Sequence, residues 1–197
     1  MLKIILLGTL SFFILTVFDW MQLHGKKRAW VPGILGAAVF VTAVFFAVSL
    51  SPAYFLPVLV RIPGGVLCFI FAMLLVWSLF LELPFTATYV RLDCGERRLV
   101  TWGTYALCRH PGVLWLSLAL IFLFMATGAR WLLLAAPIWV GCAVIHVFSQ
   151  EKFFFTKMFT DYREYQRRVP FLLPTGESVR VCCKTLLRAM GPQYINK

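Results

Sequence analysis

Two stretches of the chain carry side chains whose types and spacing could do chemistry. The first, Leu99-Val100-Thr101-Trp102-Gly103-Thr104-Tyr105-Ala106-Leu107-Cys108-Arg109-His110-Pro111, runs straight into an apolar segment. Proline suits the first turn of a helix, where its missing N–H is not needed. Arg109 and His110 then sit at a helix mouth, beside unpaired N–H groups and the positive end of the dipole, where a carboxylate or phosphate binds. On its own the tripeptide reads more simply as an interfacial anchor, because basic residues are common at inner membrane interfaces.

The second stretch opens with Gln150-Glu151-Lys152-Phe153-Phe154-Phe155 and continues through Met158-Phe159 and Asp161-Tyr162-Arg163-Glu164-Tyr165. It closes with Val169-Pro170-Phe171-Leu172-Leu173-Pro174. Read as one helix, Glu151, Phe154, Met158, Tyr162 and Tyr165 fall at offsets 0, 3, 7, 11 and 14, so one face carries a carboxylate, two bulky apolar groups and two phenols. An amphipathic helix lying on a membrane explains the apolar groups and the cations but not a leading carboxylate. Near a bilayer edge Glu151 needs a partner, and the candidates are a bound cation or Arg109. His146 and Gln150, four apart, share a face, and a buried histidine bonded to a neighbouring helix is the expectation there. Asp19 and Glu82 are expected to pair with nearby Lys or Arg. Residues Tyr89–Arg91 and Arg97–Val100 flank Asp93-Cys94-Gly95-Glu96, the pattern of a short turn or hairpin over the site.

The elements that must position these groups are apolar. Of 197 residues, 61% are hydrophobic and only 14% charged, which excludes an ordinary soluble domain, a disordered chain and a disulfide-stapled secreted module. Apolar runs at Leu2–Phe18, Val31–Leu50, Gly64–Leu83, Val113–Thr127 and Trp131–Phe148 predict an all-α integral membrane protein with five transmembrane helices. The last two form a tight helical hairpin, and a C-terminal cytoplasmic amphipathic helix follows. The first run is read as a retained span, because no small-x-small cleavage site follows it. Pro52, Pro57 and Pro63 punctuate a connection along the outer interface.

Of the 19 Lys and Arg, 16 fall on one side of this arrangement, and only Lys3, Arg61 and Arg130 on the other. The positive-inside rule then puts the N-terminus outside and the C-terminus in the cytoplasm. The net charge of +11 reads as orientation and contact with anionic lipid headgroups, not with nucleic acid. Residues 1–174 are expected to form a single domain, followed by a basic cytoplasmic tail over 175–197 with a short helix at Val179–Met190. The six cysteines show no C-x-x-C spacing, Cys182 and Cys183 are read as unmodified thiols, and the three histidines have no ligand spacing. No metal is predicted.

Taken together, Leu-Val-x-x-Gly-x-Tyr-x-x-x-Arg-His-Pro (Leu99–Pro111), a helical hairpin, Glu151, Tyr162-x-x-Tyr165 and Val169-Pro170-x-x-x-Pro174 resemble the isoprenylcysteine carboxyl methyltransferase group. That group is related to the phospholipid methyltransferases. The resemblance covers Leu99 to Pro174. It implies an S-adenosyl-L-methionine-dependent methyltransferase of the inner leaflet with a lipophilic acceptor, either isoprenylcysteine carboxylate-like or amino-lipid-like. It implies that Tyr105, Arg109, His110 and Pro111 form the first half of the cofactor pocket and that Glu151, Tyr162 and Tyr165 form the second. Arg109, His110 and Glu151 are the implied catalytic residues. The chain departs from the group's pattern at Gln150, where a second acid is usual, at Val113 and at Met158-Phe159. A non-enzymatic or diverged protein of the same fold is therefore one alternative. A steroid-reductase-like NADPH enzyme is another; it shares the Arg-His-Pro helix mouth but does not predict the Glu151…Tyr-x-x-Tyr stripe.

Overall fold

A computed structural model describes residues 1–82 and 99–189. The expected turn over Asp93–Glu96 lies outside them. Among the described residues the fold is all-helical, with one isolated bridge between Ala53 and Ala129. The helices are α1 (Leu2–Leu23), α2 (Trp30–Ser49), α3 (Val58–Val76), α4 (Thr104–Leu107), α5 (Pro111–Thr127), α6 (Leu132–Ser149), α7 (Tyr162–Arg168) and α8 (Gly176–Ala189). Two of them run on into π turns: α3 through Trp77–Leu81, and α6 through Gln150–Phe155 to a last turn at Thr156–Met158.

Four helical stretches are long and apolar enough to cross a membrane: Leu2–Leu23, Trp30–Ser49, Val58–Leu81 and Leu132–Met158. The remaining apolar helix, α5, has 17 residues, at the lower limit for a span. The protein is thus a helical integral membrane protein. Its helices leave large apolar side chains such as Phe13, Phe45, Leu59 and Phe69 exposed. A lipid surround makes such a surface stable.

The third long helix begins at Val58, six residues before the apolar run suggested, and Pro63 lies inside it. Pro57 occupies the N-cap, so the first turn needs no donors there, and Pro63 removes only one further backbone bond near the helix end. Inside the bundle α1 packs on α2 and α6, and α3 packs on α5. Trp139 is fully buried, and its indole N–H donates to the Ile5 carbonyl at 3.1 Å. Its ring lies where a Cβ on Gly8 would be, so α1 meets α6 closely only because residue 8 has no side chain.

At the end opposite the polar clusters, the 51–54 segment is latched to the turn of the α5–α6 hairpin. Tyr54 N–H donates to Gly128 O at 2.8 Å, Arg130 N–H to Pro52 O at 3.0 Å, and Trp131 N–H to Ser51 Oγ at 2.9 Å. The Arg130 guanidinium sits 4.4 Å from the centroid of the Tyr54 ring.

Candidate active site

The two polar stretches meet at the other end of the hairpin. Pro111 starts α5, as its fixed φ favours, with His110 at the N-cap and Arg109 just before it. Glu151 sits in the π turn that extends α6. Glu151 and Phe154, three residues apart, point inward from this turn while Lys152 and Phe153 face outward.

The expected single helix from Glu151 to Tyr165 is interrupted. Phe159 adopts an extended conformation and buries its ring, and the chain restarts as α7 at Tyr162. Burying one more aromatic side chain outweighs helical continuity there. Glu151, Phe154, Tyr162 and Tyr165 remain interior despite the break, and Met158 is half-buried.

Glu151 is the node of the site. Its Oε1 accepts from Arg109 Nε at 2.7 Å and from the Tyr162 hydroxyl at 3.0 Å, and it lies 2.9 Å from His110 Nε2. Its Oε2 accepts from Gln166 Nε2 at 2.9 Å and from Arg109 Nη2 at 3.2 Å. Arg109 therefore grips the carboxylate with two nitrogens, the strong planar geometry for this pair. Its third nitrogen, Nη1, donates to Gln166 O at 2.7 Å and Val169 O at 3.2 Å. Those carbonyls end α7 and have no helical partners, so the guanidinium also caps that helix. The Arg109 backbone N–H adds a bond to Pro170 O at 2.9 Å.

Burial, reinforced by the Glu151 carboxylate, raises the Tyr162 phenol above its ordinary pKa, so it stays a donor to Glu151. Burial raises Tyr165 likewise, and its hydroxyl donates to Tyr105 O at 2.7 Å. Tyr105 in turn donates to Ser78 O at 3.2 Å, in the π turn beyond α3. Phe171 closes one side, edge-on to His110 at 5.1 Å between centroids and 5.5 Å from the Arg109 guanidinium carbon. Phe155 stacks on His110 from another side. Beside Glu151 an open hollow of about 340 Å³ is lined by Phe148, Lys152, Thr156, Arg163 and Gln166 as well as Glu151 itself. That volume is in the range of small-molecule sites, roughly 300–1,000 Å³.

The structure thus brings Tyr105, Arg109, His110, Pro111, Glu151, Tyr162 and Tyr165 into one connected cluster. Sequence reasoning missed Gln166, although it stands one helical turn after Tyr162 and so shares its face. It also misjudged two acids. Among the described residues Asp19 pairs with Gln150 and His146 rather than with Lys or Arg, and Glu82 accepts from the backbone N–H of Thr104 at 2.8 Å and from its hydroxyl. In both places a neutral donor already lies at contact distance inside the packed helices. Gly103, with φ of +61°, precedes Thr104, and a Cβ there would collide with the Glu82 carboxylate. His146 contacts Thr16 and Asp19 of α1, as the helix-face reading expects.

A family model described as phospholipid methyltransferase matches residues 60–162, just over half of the chain. The chain belongs to the phospholipid methyltransferase family. The match takes in α3, the Leu99–Pro111 stretch, the hairpin, Glu151 and Tyr162. It begins upstream of the motifs that carry the resemblance and stops before Tyr165 and the Val-Pro block. No curated protein and no solved structure matches the chain. Family membership makes this a methyltransferase-type membrane protein.

Proposed function

We propose that the protein is an S-adenosyl-L-methionine-dependent methyltransferase whose acceptor is a lipophilic molecule reached from the cytoplasmic leaflet. The observation that carries the reading is the Arg109–Glu151 pair, opposite charges in contact, with Glu151 itself lining the hollow. The donor set suits the cofactor, whose amino-acid end has one carboxylate and one ammonium and whose ribose offers hydroxyls. Arg109 and the mouth of α5 take the carboxylate, and Glu151 takes the ammonium or the hydroxyls. Tyr105, His110, Pro111, Tyr162 and Tyr165 stand behind that pair, the two phenols of Tyr162 and Tyr165 by holding Glu151 and the Tyr105 backbone in place.

The bound cofactor supplies a methyl group on a sulfonium, open to in-line displacement. The protein's own work is alignment and exclusion of water, which supplies much of the acceleration in such a transfer. Phe155 and Phe171 dry the His110 side of the cluster. A carboxylate acceptor needs no base. For an amine acceptor, His110 is the candidate to take the released proton, and it would do so at Nδ1, because Nε2 donates to the Glu151 carboxylate at 2.9 Å. In this reading α5 crosses with α6 as the fifth span, the N-terminus lies outside, residues 1–174 are the catalytic domain and 175–197 a cytoplasmic tail.

Equilibrium binding to the purified full chain tests the proposal. Arg109→Ala and Glu151→Gln are each expected to weaken S-adenosylmethionine binding by at least ~1.5 kcal/mol, about tenfold. Membranes given methyl-labelled cofactor are expected to yield a labelled lipophilic product. Unchanged affinity in both variants, or binding of NADPH instead, overturns the reading.

A further inference from the structure

We infer that Asp19, on α1, is a positioning residue for Glu151, acting through the Gln150 side chain on the π turn that carries both. The inference rests on the reading of Glu151 as a cofactor-binding group. It adds a contribution from a helix outside the family match, which begins at residue 60.

Asp19 lies at the inner end of an apolar helix and is 5% exposed. A carboxylate in such a place is costly, and helix packing alone does not call for one. Both of its oxygens accept from Gln150 Nε2, at 3.1 and 2.9 Å, and His146 Nε2 stands 3.4 Å from Oδ2. On the far side of that ring, His146 Nδ1 lies 3.2 Å from the Thr16 hydroxyl, which itself donates to Phe12 O at 2.9 Å. Asp19, His146, Gln150 and Thr16 thus form a closed polar set between α1 and the α6 extension.

The consequence for the site follows from adjacency. Gln150 and Glu151 are consecutive residues whose side chains are held in two different places, one by Asp19 and the other by Arg109, His110, Tyr162 and Gln166. A π turn is a rare, single-turn departure from the α-helix, and side-chain ties on either side of it favour one register. Groups that bind a ligand must be held within about 10–20° of their working direction. The Asp19–Gln150 bonds anchor the start of the turn, and Glu151 leaves it one residue later.

The test uses the full chain in lipid nanodiscs with two readouts: S-adenosylmethionine affinity and amide hydrogen exchange over residues 150–155. The variants are Asp19→Ala, Gln150→Glu and the exchanged pair Asp19→Asn with Gln150→Glu. Each single variant is expected to weaken binding about tenfold, the scale of one hydrogen bond to a charged group. Each is also expected to speed exchange over 150–155 while α3 and α5, packed on each other, keep their protection. The exchanged pair restores an amide facing a carboxylate, and is expected to return to within about twofold of the parent, the tolerance of a double-mutant cycle. Parental affinity in Asp19→Ala, or no recovery in the exchanged pair, overturns the inference. If the parent protein itself binds no cofactor, the proposed function fails, and exchange over 150–155 alone decides whether Asp19 holds the turn.

Discussion

Replacing Arg109 with lysine separates charge from shape. The guanidinium makes four contacts on three residues: Glu151 through Nε and Nη2, and the carbonyls of Gln166 and Val169 through Nη1. Its side chain is only 12% exposed, so water does not readily replace what is lost. Lysine keeps the charge but is a single point on a flexible stem and cannot fork between a carboxylate and the end of a helix. If it holds Glu151, both carbonyls lose their partner. Two lost bonds at ~0.5–1.5 kcal/mol each, with weaker pairing to Glu151, give an expected destabilisation of about 2–3 kcal/mol. The assay is reversible unfolding in detergent micelles, with amide exchange over residues 162–172 reporting the release of α7. A loss below ~0.5 kcal/mol, within the range of an ordinary surface change, would refute the claim that geometry rather than charge makes Arg109 effective.

Three other outcomes follow from the same structure. Gly103→Ala adds a Cβ at a φ of +61° and against Glu82, and is expected to lower the unfolding temperature and detach Thr104, read as faster exchange at 103–107. Maleimide labelling of the folded protein is expected to modify exposed Cys183 and spare Cys182 and Cys108, whose thiols burial pushes up to about 11. Alkaline pH is expected to destabilise the fold. Tyr162 and Tyr165 have raised pKa values when folded, so the stability they contribute is complete below the unfolded tyrosine value of about 10 and falls as pH rises beyond it. Tyr162→Phe with Tyr165→Phe should flatten that fall in an unfolding series from pH 9 upward.

The helices were legible because lipid imposes a simple rule: each long apolar run became a helix, although α1 continues past Phe18 to Leu23, α3 starts early at Val58 and the α6 stretch runs on to Met158. At Pro57 and Pro63 proline interrupts the apolar pattern of the sequence, yet a position near a helix start makes it tolerable in the fold. The site was legible in its chemistry, since a carboxylate leaving a span needs a cation, and Arg109 supplies one. Its local backbone was not. A strict 3.6 periodicity cannot anticipate a π turn at Gln150–Phe155 or the extended Phe159, because both are fixed by contacts with distant segments. The partners of Asp19 and Glu82 were misjudged for the same reason. Charge complementarity can be read along a sequence, whereas a glutamine amide 131 residues away cannot.

The tie between the 51–54 segment and the hairpin turn limits how this protein can move. Three backbone donors and a stacked guanidinium bind the turn of the α5–α6 pair to the chain before α3. Any parting of the two arms must therefore swing about that tip, as tweezers do about their joined end. The widest gap would open beside Glu151, so a small angular change at the joined end becomes a large one at the hollow.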